Sequence, residues 1–335
     1  KFNNNKGKNM NNFKKIGLSA LAGSLVAFSV NAAEMTVTGG AAITFQGQDK
    51  STKGNGWTMT DNLVFSGSAE MDNGFVVSTS FEIDEGDQTG DQDFDGRSMT
   101  INMNDMGTIT FSGTDGVSAL HSIDDMLPYA GGTAGWDMMT IATDSSQTRE
   151  GRVTGSNGSN MMRYTNSTAV DGLTVAVSYL PSDATLGKAE SVTSYNVQYS
   201  GIEGLTVGYG QDDNGAATSA ATVDQTAYFA TYAYGPVTVG YQYSEDDAAT
   251  VEASDEFTGF GISYTVSDNL SVSYTETTYD MGDQTTDEET TTIGASYTMG
   301  SMSLTATMNQ VDNIGGSTDA VDDVEGYKLG LSFAF

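Results

Sequence analysis

The side chains with chemistry to offer are overwhelmingly carboxylates. The 335 residues hold 44 Asp and Glu against 13 Lys and Arg, a formal net charge of −31. There is no cysteine, and His121 is the one histidine. Thiolate nucleophiles, disulfides and Cys-ligated zinc are excluded. His-pair metal sites go with them, and a Ser-His-Asp centre has a single candidate base. A chain this acidic repels phosphate backbones, which argues against nucleic acid as a partner. Two stretches gather charge in suggestive patterns. The segment 115–158 carries Asp115, Asp124, Asp125, Asp137, Asp144 and Glu150, with His121, Arg149 and Arg152 among them. Asp124-Asp125 is its most acidic spot. The second stretch, Asp91-Gln92-Asp93-Phe94-Asp95-Gly96, has the D-x-D-x-D-G spacing of a calcium loop. Alternating carboxylates at this spacing can wrap one ion, and the Gly permits a sharp turn. The flanking helices are missing and position twelve is Asn102 instead of Glu, so a solvated acidic loop is favoured over a calcium site at Asp91, Asp93 and Asp95.

The elements that must position these residues have a period of two. Met35, Val37, Gly39, Ala41, Ile43 and Phe45 alternate with small or polar residues, and so do Leu63, Phe65, Gly67, Ala69 and Met71. Successive strand side chains point to opposite faces, so each segment has one apolar and one polar face. Sixteen such segments are expected, near 35–48, 62–71, 75–83, 97–103, 108–114, 161–166, 173–180, 192–200, 205–210, 226–234, 237–243, 257–265, 270–276, 290–299, 302–308 and 326–335. Long and short connections alternate between them, which an up-and-down strand set requires. The pair Asn73-Gly74 predicts a tight hairpin with positive φ angles. Most acids fall in the long connections, leaving the strands almost uncharged. Strand aromatics such as Phe65, Tyr179, Tyr209, Tyr241 and Tyr297 share the apolar parity. The other parity reads as Thr, Ser, Asn, Gln and Gly throughout. Apolar-out, polar-in hairpins with aromatic girdles describe a transmembrane antiparallel β-barrel with a wet lumen.

The chain start reads separately. Lys14 and Lys15 precede an apolar run, Ile16 to Val30, that is too short to span a bilayer as a helix. The small residues Ala32 and Ala33 follow. This order reads as a secretory signal over 10–32, starting at Met10 and cleaved after Ala32. Residues 1–9 then lie upstream of the start, and the barrel occupies 33–335. Five basic residues fall ahead of Ala33, leaving 8 against 44 acids and a net of −36.

From Ala33 to Phe335 the chain resembles a Gram-negative general porin of the outer membrane. Glu34-Met35-Thr36-Val37-Thr38-Gly39-Gly40 looks like a porin first strand, and Met106-Gly107-Thr108-Ile109-Thr110-Phe111-Ser112-Gly113 like the fifth. The closing stretch Gly326 to Phe335 resembles the signal read by the barrel-insertion machinery. The resemblance implies a homotrimer in outer-membrane lipid, with long extracellular loops and a constriction loop after strand five. It also implies passive diffusion of small hydrophilic solutes, with no enzyme activity and no required cofactor.

Within that resemblance the segment 115–158 becomes the constriction loop, with Asp124 and Asp125 first choices for the narrowest ring. Asp115, His121, Asp137, Arg149 and Arg152 are further candidates. On the wall, Glu70 and Glu82 have inward parity, as do Arg163 and Lys328; Arg97 has outward parity. The basic ladder that such porins set opposite the loop is missing, which points to cation preference. Ca2+ or Mg2+ at the acidic loops would screen their mutual repulsion. A substrate-specific channel on the same barrel is the alternative, and a secreted acidic β-rich calcium-binding surface protein is the alternative from another class.

Overall fold

The computed structural model describes residues 34–49, 56–84, 95–131, 154–182, 191–214, 223–248, 254–282, 284–318 and 323–335. All sixteen expected segments are strands. They are β1 (Glu34–Gln48), β2 (Gly56–Glu70), β3 (Val76–Asp84), β4 (Arg97–Asn102), β5 (Thr108–Thr114), β8 (Met161–Val170), β9 (Leu173–Leu180) and β10 (Val192–Ile202). The series continues with β11 (Leu205–Asn214), β12 (Val223–Tyr234), β13 (Val237–Ala248), β14 (Asp255–Ser267), β15 (Leu270–Met281), β16 (Glu288–Met299), β17 (Met302–Asp312) and β18 (Val324–Ala334). Each pairs antiparallel with its neighbours, and β18 returns to β1 to close the barrel. The two ends lock there: Gly39 N–H donates to Phe335 O at 3.1 Å and Phe335 N–H to Gly39 O at 2.9 Å. Closure gives every strand two partners, which a hydrocarbon surrounding demands. Two further short strands, β6 (Gly116–Val117) and β7 (Asn157–Gly158), form a separate ladder.

The apolar parity faces outward. Met35, Val37, Ile43, Phe81, Met99, Tyr179, Tyr209, Tyr241, Phe260 and Leu304 are all exposed on the outer wall. Three expectations need correction. First, the strands run further towards the long loops than the apolar pattern does. β11 reaches Asn214, β13 Ala248 and β15 Met281, so Asp212, Asp213, Glu245, Asp246, Asp247 and Asp280 are strand residues. Hydrophobic periodicity stops where the apolar belt stops, but backbone pairing continues past it. Second, the inward face is not polar throughout. Phe229, Phe257 and Tyr279 point inward and are buried. Third, Asn73 does not adopt a positive φ. Gly74 alone does, at 81°, and the Asn73 side chain accepts the Phe75 N–H at 3.1 Å. This is an Asx-type turn.

Candidate pore constriction

After β5 the chain does not continue along the wall. Asp115 takes a left-handed φ of 50°, and the following segment enters the barrel. Ser118, Ala119, Leu120, Ile123 and Asp124 are all 1% exposed or less. A row of inward hydroxyls and amides holds the segment against the wall. Ala119 N–H donates to Ser178 Oγ at 2.9 Å and Leu120 N–H to Ser194 Oγ at 2.8 Å. Asn196 donates to Ala119 O and to Ser122 Oγ. Met126 N–H donates to Gln242 Oε1 at 2.7 Å, and Gln242 Nε2 returns a bond to Asp124 O. Ala130 N–H donates to Ser273 Oγ at 2.7 Å, and Thr307 Oγ1 donates to Gly131 O at 3.1 Å. The loop therefore crosses the inner wall from β9 to β17.

Apolar contacts supplement these bonds. Leu120 and Ile123 join Ala227 and Phe229, with Met126 beside them; Leu127 joins Phe257, Tyr279 and Met281. This explains the inward aromatics: they are a floor for the loop. Each fully buried apolar side chain contributes about 1.5–3 kcal/mol. Glycines make the approach close enough. A Cβ on Gly210 would meet Ile123, on Gly240 Pro128, on Gly259 Leu127, and on Gly294 the main chain of Ala130. These inward glycines, with Ser178, Ser194, Asn196, Asp212, Gln242, Ser273 and Thr307, are the site residues that sequence reasoning missed. The only signal was inward parity.

The expected charged residues divide. Asp124 does not line the open lumen. Its carboxylate is 1% exposed, accepts the Gly155 N–H at 2.8 Å, and lies 3.3 Å from His121 Nδ1. His121 Nδ1 also contacts Gly155 O at 3.0 Å, which requires its proton on Nδ1. The pair thus ties the outgoing limb of the loop to the returning one. Asp125 is half-buried beside it. Asp137, Arg149 and Arg152 lie outside the described residues, as do Asp91 and Asp93. Glu70 ends β2 beside the short turn at Met71–Phe75, opposite Val76 and away from the loop.

The described loop residues 118–131 are bonded along β9 to β17, and β18 through β5 form the free wall across the lumen from them. Its inward residues include Gln46, Thr44, Asn62, Ser80, Ser98, Thr100 and Thr110, which share a face through the register of the strand pairs. Glu82 is inward there, and Asn62 Nδ2 donates to its Oε1 at 2.7 Å. Asp84 shares a side-chain hydrogen bond with Asp95, close to Asp115. That bond, with the charges of Asp84 and Asp115, holds the Asp95 carboxyl above the usual carboxylate range. Arg163 lies opposite Thr110 and Ser178, at one margin of this wall. Lys328 lies opposite Gln46 and Thr307, at the other. Arg97 is exposed on the outer wall, over Gly113.

A closed sixteen-strand barrel with its fifth connection folded inside is a solute channel by construction. A model of the family described as Gram-negative porin matches residues 17–316. The chain belongs to the Gram-negative porins. Among solved structures, the anion-selective porin from Comamonas acidovorans aligns with a TM-score of 0.66 at 14% identity, covering 90% of this chain and 100% of that one. A porin of Rhodopseudomonas blastica bearing three substitutions aligns with a TM-score of 0.64 at 14% identity, with the same coverage. A further porin structure aligns at 0.64 and 19% identity, again over 90% and 100%. No curated protein sequence matches significantly. Family and fold make this porin an outer-membrane protein, with the strands crossing the bilayer and the apolar wall in lipid.

Proposed function

We propose that this porin passes small hydrophilic solutes by passive diffusion and favours cations. The observation that carries the reading is the free wall. Glu82 and Asp84 stand opposite the loop with Asp95 beside them, where an anion channel needs a row of bases, and Asp115 at the root of the loop adds its charge to theirs. Arg163 and Lys328 flank that wall at its two margins. Fixed negative charge in a narrow wet pore concentrates cations and depletes anions. The Comamonas porin is anion-selective by name, but a fold shared at 14% identity transfers no sign of charge. A reversal potential across a tenfold potassium chloride gradient at low salt tests the reading, and chloride preference would end it. The preference should shrink with ionic strength, because the Debye length falls from about 30 Å at 0.01 M to about 3 Å at 1 M. A substrate-specific channel finds less support: the inward aromatics Phe229 and Phe257 lie beneath the loop, so no aromatic track lines the described lumen.

The preference should also depend on pH. Asp95 keeps its proton at a pH where an ordinary Asp, near about 3.9, has lost it. Negative charge on the free wall therefore grows as pH rises through and beyond that range, and potassium preference grows with it. A flat pH profile of the reversal potential would refute the assignment.

Two further readings concern partners. We read the assembly as a homotrimer joined through β1–β5. No tyrosine precedes Tyr129, whereas β8 to β16 and β18 each carry outward tyrosines, from Tyr164 to Tyr327. Tyrosine marks lipid–water interfaces, since its ring suits lipid and its hydroxyl suits water. The first strands instead present Gly39, Ala41, Gly67 and Ala69, suited to close approach of another barrel. Mass measurement in mild detergent should give three chains; a monomer would count against it. At the long-loop end, divalent cations such as Ca2+ or Mg2+ should stabilise the crown. Asp213, Asp224 and Asp247 are directly opposite one another across β11–β13, and so are Glu245, Glu256 and Asp280 across β13–β15. Like charges so placed are destabilising. Between Arg163 and Lys328 the sequence offers Lys188 as its one cation. Chelation should lower thermal stability and speed loop proteolysis; no change in either would refute the idea.

A further inference from the structure

Asp212 on β11 is 0% exposed, on the inner wall between Ser194 and Gln225. Its Oδ2 accepts the Ser118 hydroxyl at 3.0 Å, from the outgoing limb of the constriction loop. The same oxygen accepts the Ser156 N–H, from the returning limb. The limbs also meet directly, through Ser118 N–H to Ser156 O at 2.9 Å and the β6–β7 ladder. One wall oxygen therefore holds both ends of the loop. The other oxygen, Oδ1, is buried with no hydrogen-bond partner, and so is Oε1 of Gln225 across the strand pair. Buried acceptors without donors are costly and uncommon in native proteins. The neighbouring wall positions Ser178 and Ser194 secure the loop with plain hydroxyls. An Asp in the same row gives nothing extra to the barrel, but its Oδ2 accepts from both limbs at once.

We infer that Asp212 is the positioning residue of the constriction: it staples both roots of the loop to β11 and thereby fixes a single open cross-section. It touches neither solute nor the free wall, and it acts on flow through the loop it holds. The inference rests on the reading of this porin as an open diffusion channel, which the presence of steady conductance tests by itself. With the staple gone, the roots can move only away from the wall, into the lumen.

Single-channel recording of the full chain in a planar bilayer tests this with three variants. Asp212→Asn keeps an acceptor oxygen for both donors and should retain the parental single open level. Asp212→Ala should lose it, showing subconductance steps and closing at lower voltage. The chain has no cysteine, so Ser118→Cys with Asp212→Cys places one defined thiol pair where the Ser118–Asp212 contact stands. Oxidised, that variant should hold one level; after reduction, the same molecules should flicker. This third arm remains decisive if Asp212→Ala fails to fold. Parental traces from Asp212→Ala, or from the reduced pair, would overturn the inference. Flicker in Asp212→Asn equal to that in Asp212→Ala would overturn the assignment to the acceptor oxygen. A channel that never opens in the parent chain would instead overturn the diffusion reading.

Discussion

Exchanging Glu82 for Gln together with Asp84 for Asn should cut the potassium preference by about half, because it removes two of the four carboxylates, Glu82, Asp84, Asp95 and Asp115, gathered where the free wall meets the root of the loop. Both changes preserve side-chain size, and the new amides keep hydrogen-bonding capacity towards Asn62 and Asp95. The barrel should therefore unfold at an unchanged temperature. Asp124→Asn is the informative contrast. From the sequence, Asp124 is the sharpest acid of the loop and the first choice for the selectivity ring. In the structure its carboxylate is enclosed and spent on Gly155 N–H and the His121 ring. Its substitution should leave the reversal potential near the parental value while raising the noise of the open level, since one of the ties between the two limbs is weakened. The measurement is the same tenfold potassium chloride gradient for both variants. A larger loss of selectivity in Asp124→Asn than in the double free-wall variant would reverse the assignment of roles.

The contrast between those two acids shows what a linear reading could reach. Barrel architecture was legible because lipid imposes one simple rule on every strand, apolar outward, and the rule repeats from Met35 to Phe333. The inward fold of the segment after β5 was legible only through its length and the family resemblance. What holds it in place is a set of inward residues from β9 to β17, each unremarkable alone. Ser178, Ser194 and Ser273 look like any lumen hydroxyl. Asp212 looked like loop, because it sits beyond the last apolar residue of its strand. Phe229 and Phe257 broke the parity, and no local pattern says that a segment more than one hundred residues earlier covers them. Contacts of that range are fixed by closure of the barrel and leave no periodic trace in the sequence.

Gly294→Val should produce the largest change in the loop for the smallest change in the barrel. Even a single Cβ at position 294 collides with the main chain at Ala130, and that main chain is bonded in both directions to Ser273, directly across the strand pair from Gly294. A valine there must displace Ala130 and break both bonds, and the neighbouring Thr307–Gly131 bond should follow. Losing two or three buried hydrogen bonds costs about 2–4 kcal/mol by the usual net value of each and the penalty for groups left unpaired. The strand itself should not suffer, because β16 pairs regularly on both sides of position 294 and valine is a good strand former. The loop can move only off the wall, so single-channel conductance should fall. Trypsin should cut faster after Arg149 or Arg152, the two basic residues of the segment. Gly56→Ala serves as the control, since a Cβ at that position meets nothing within 4 Å. Conductance and cleavage in Gly294→Val equal to those of the control would mean that the glycines on the inner wall do not seat the loop, and that its position is set elsewhere in the segment.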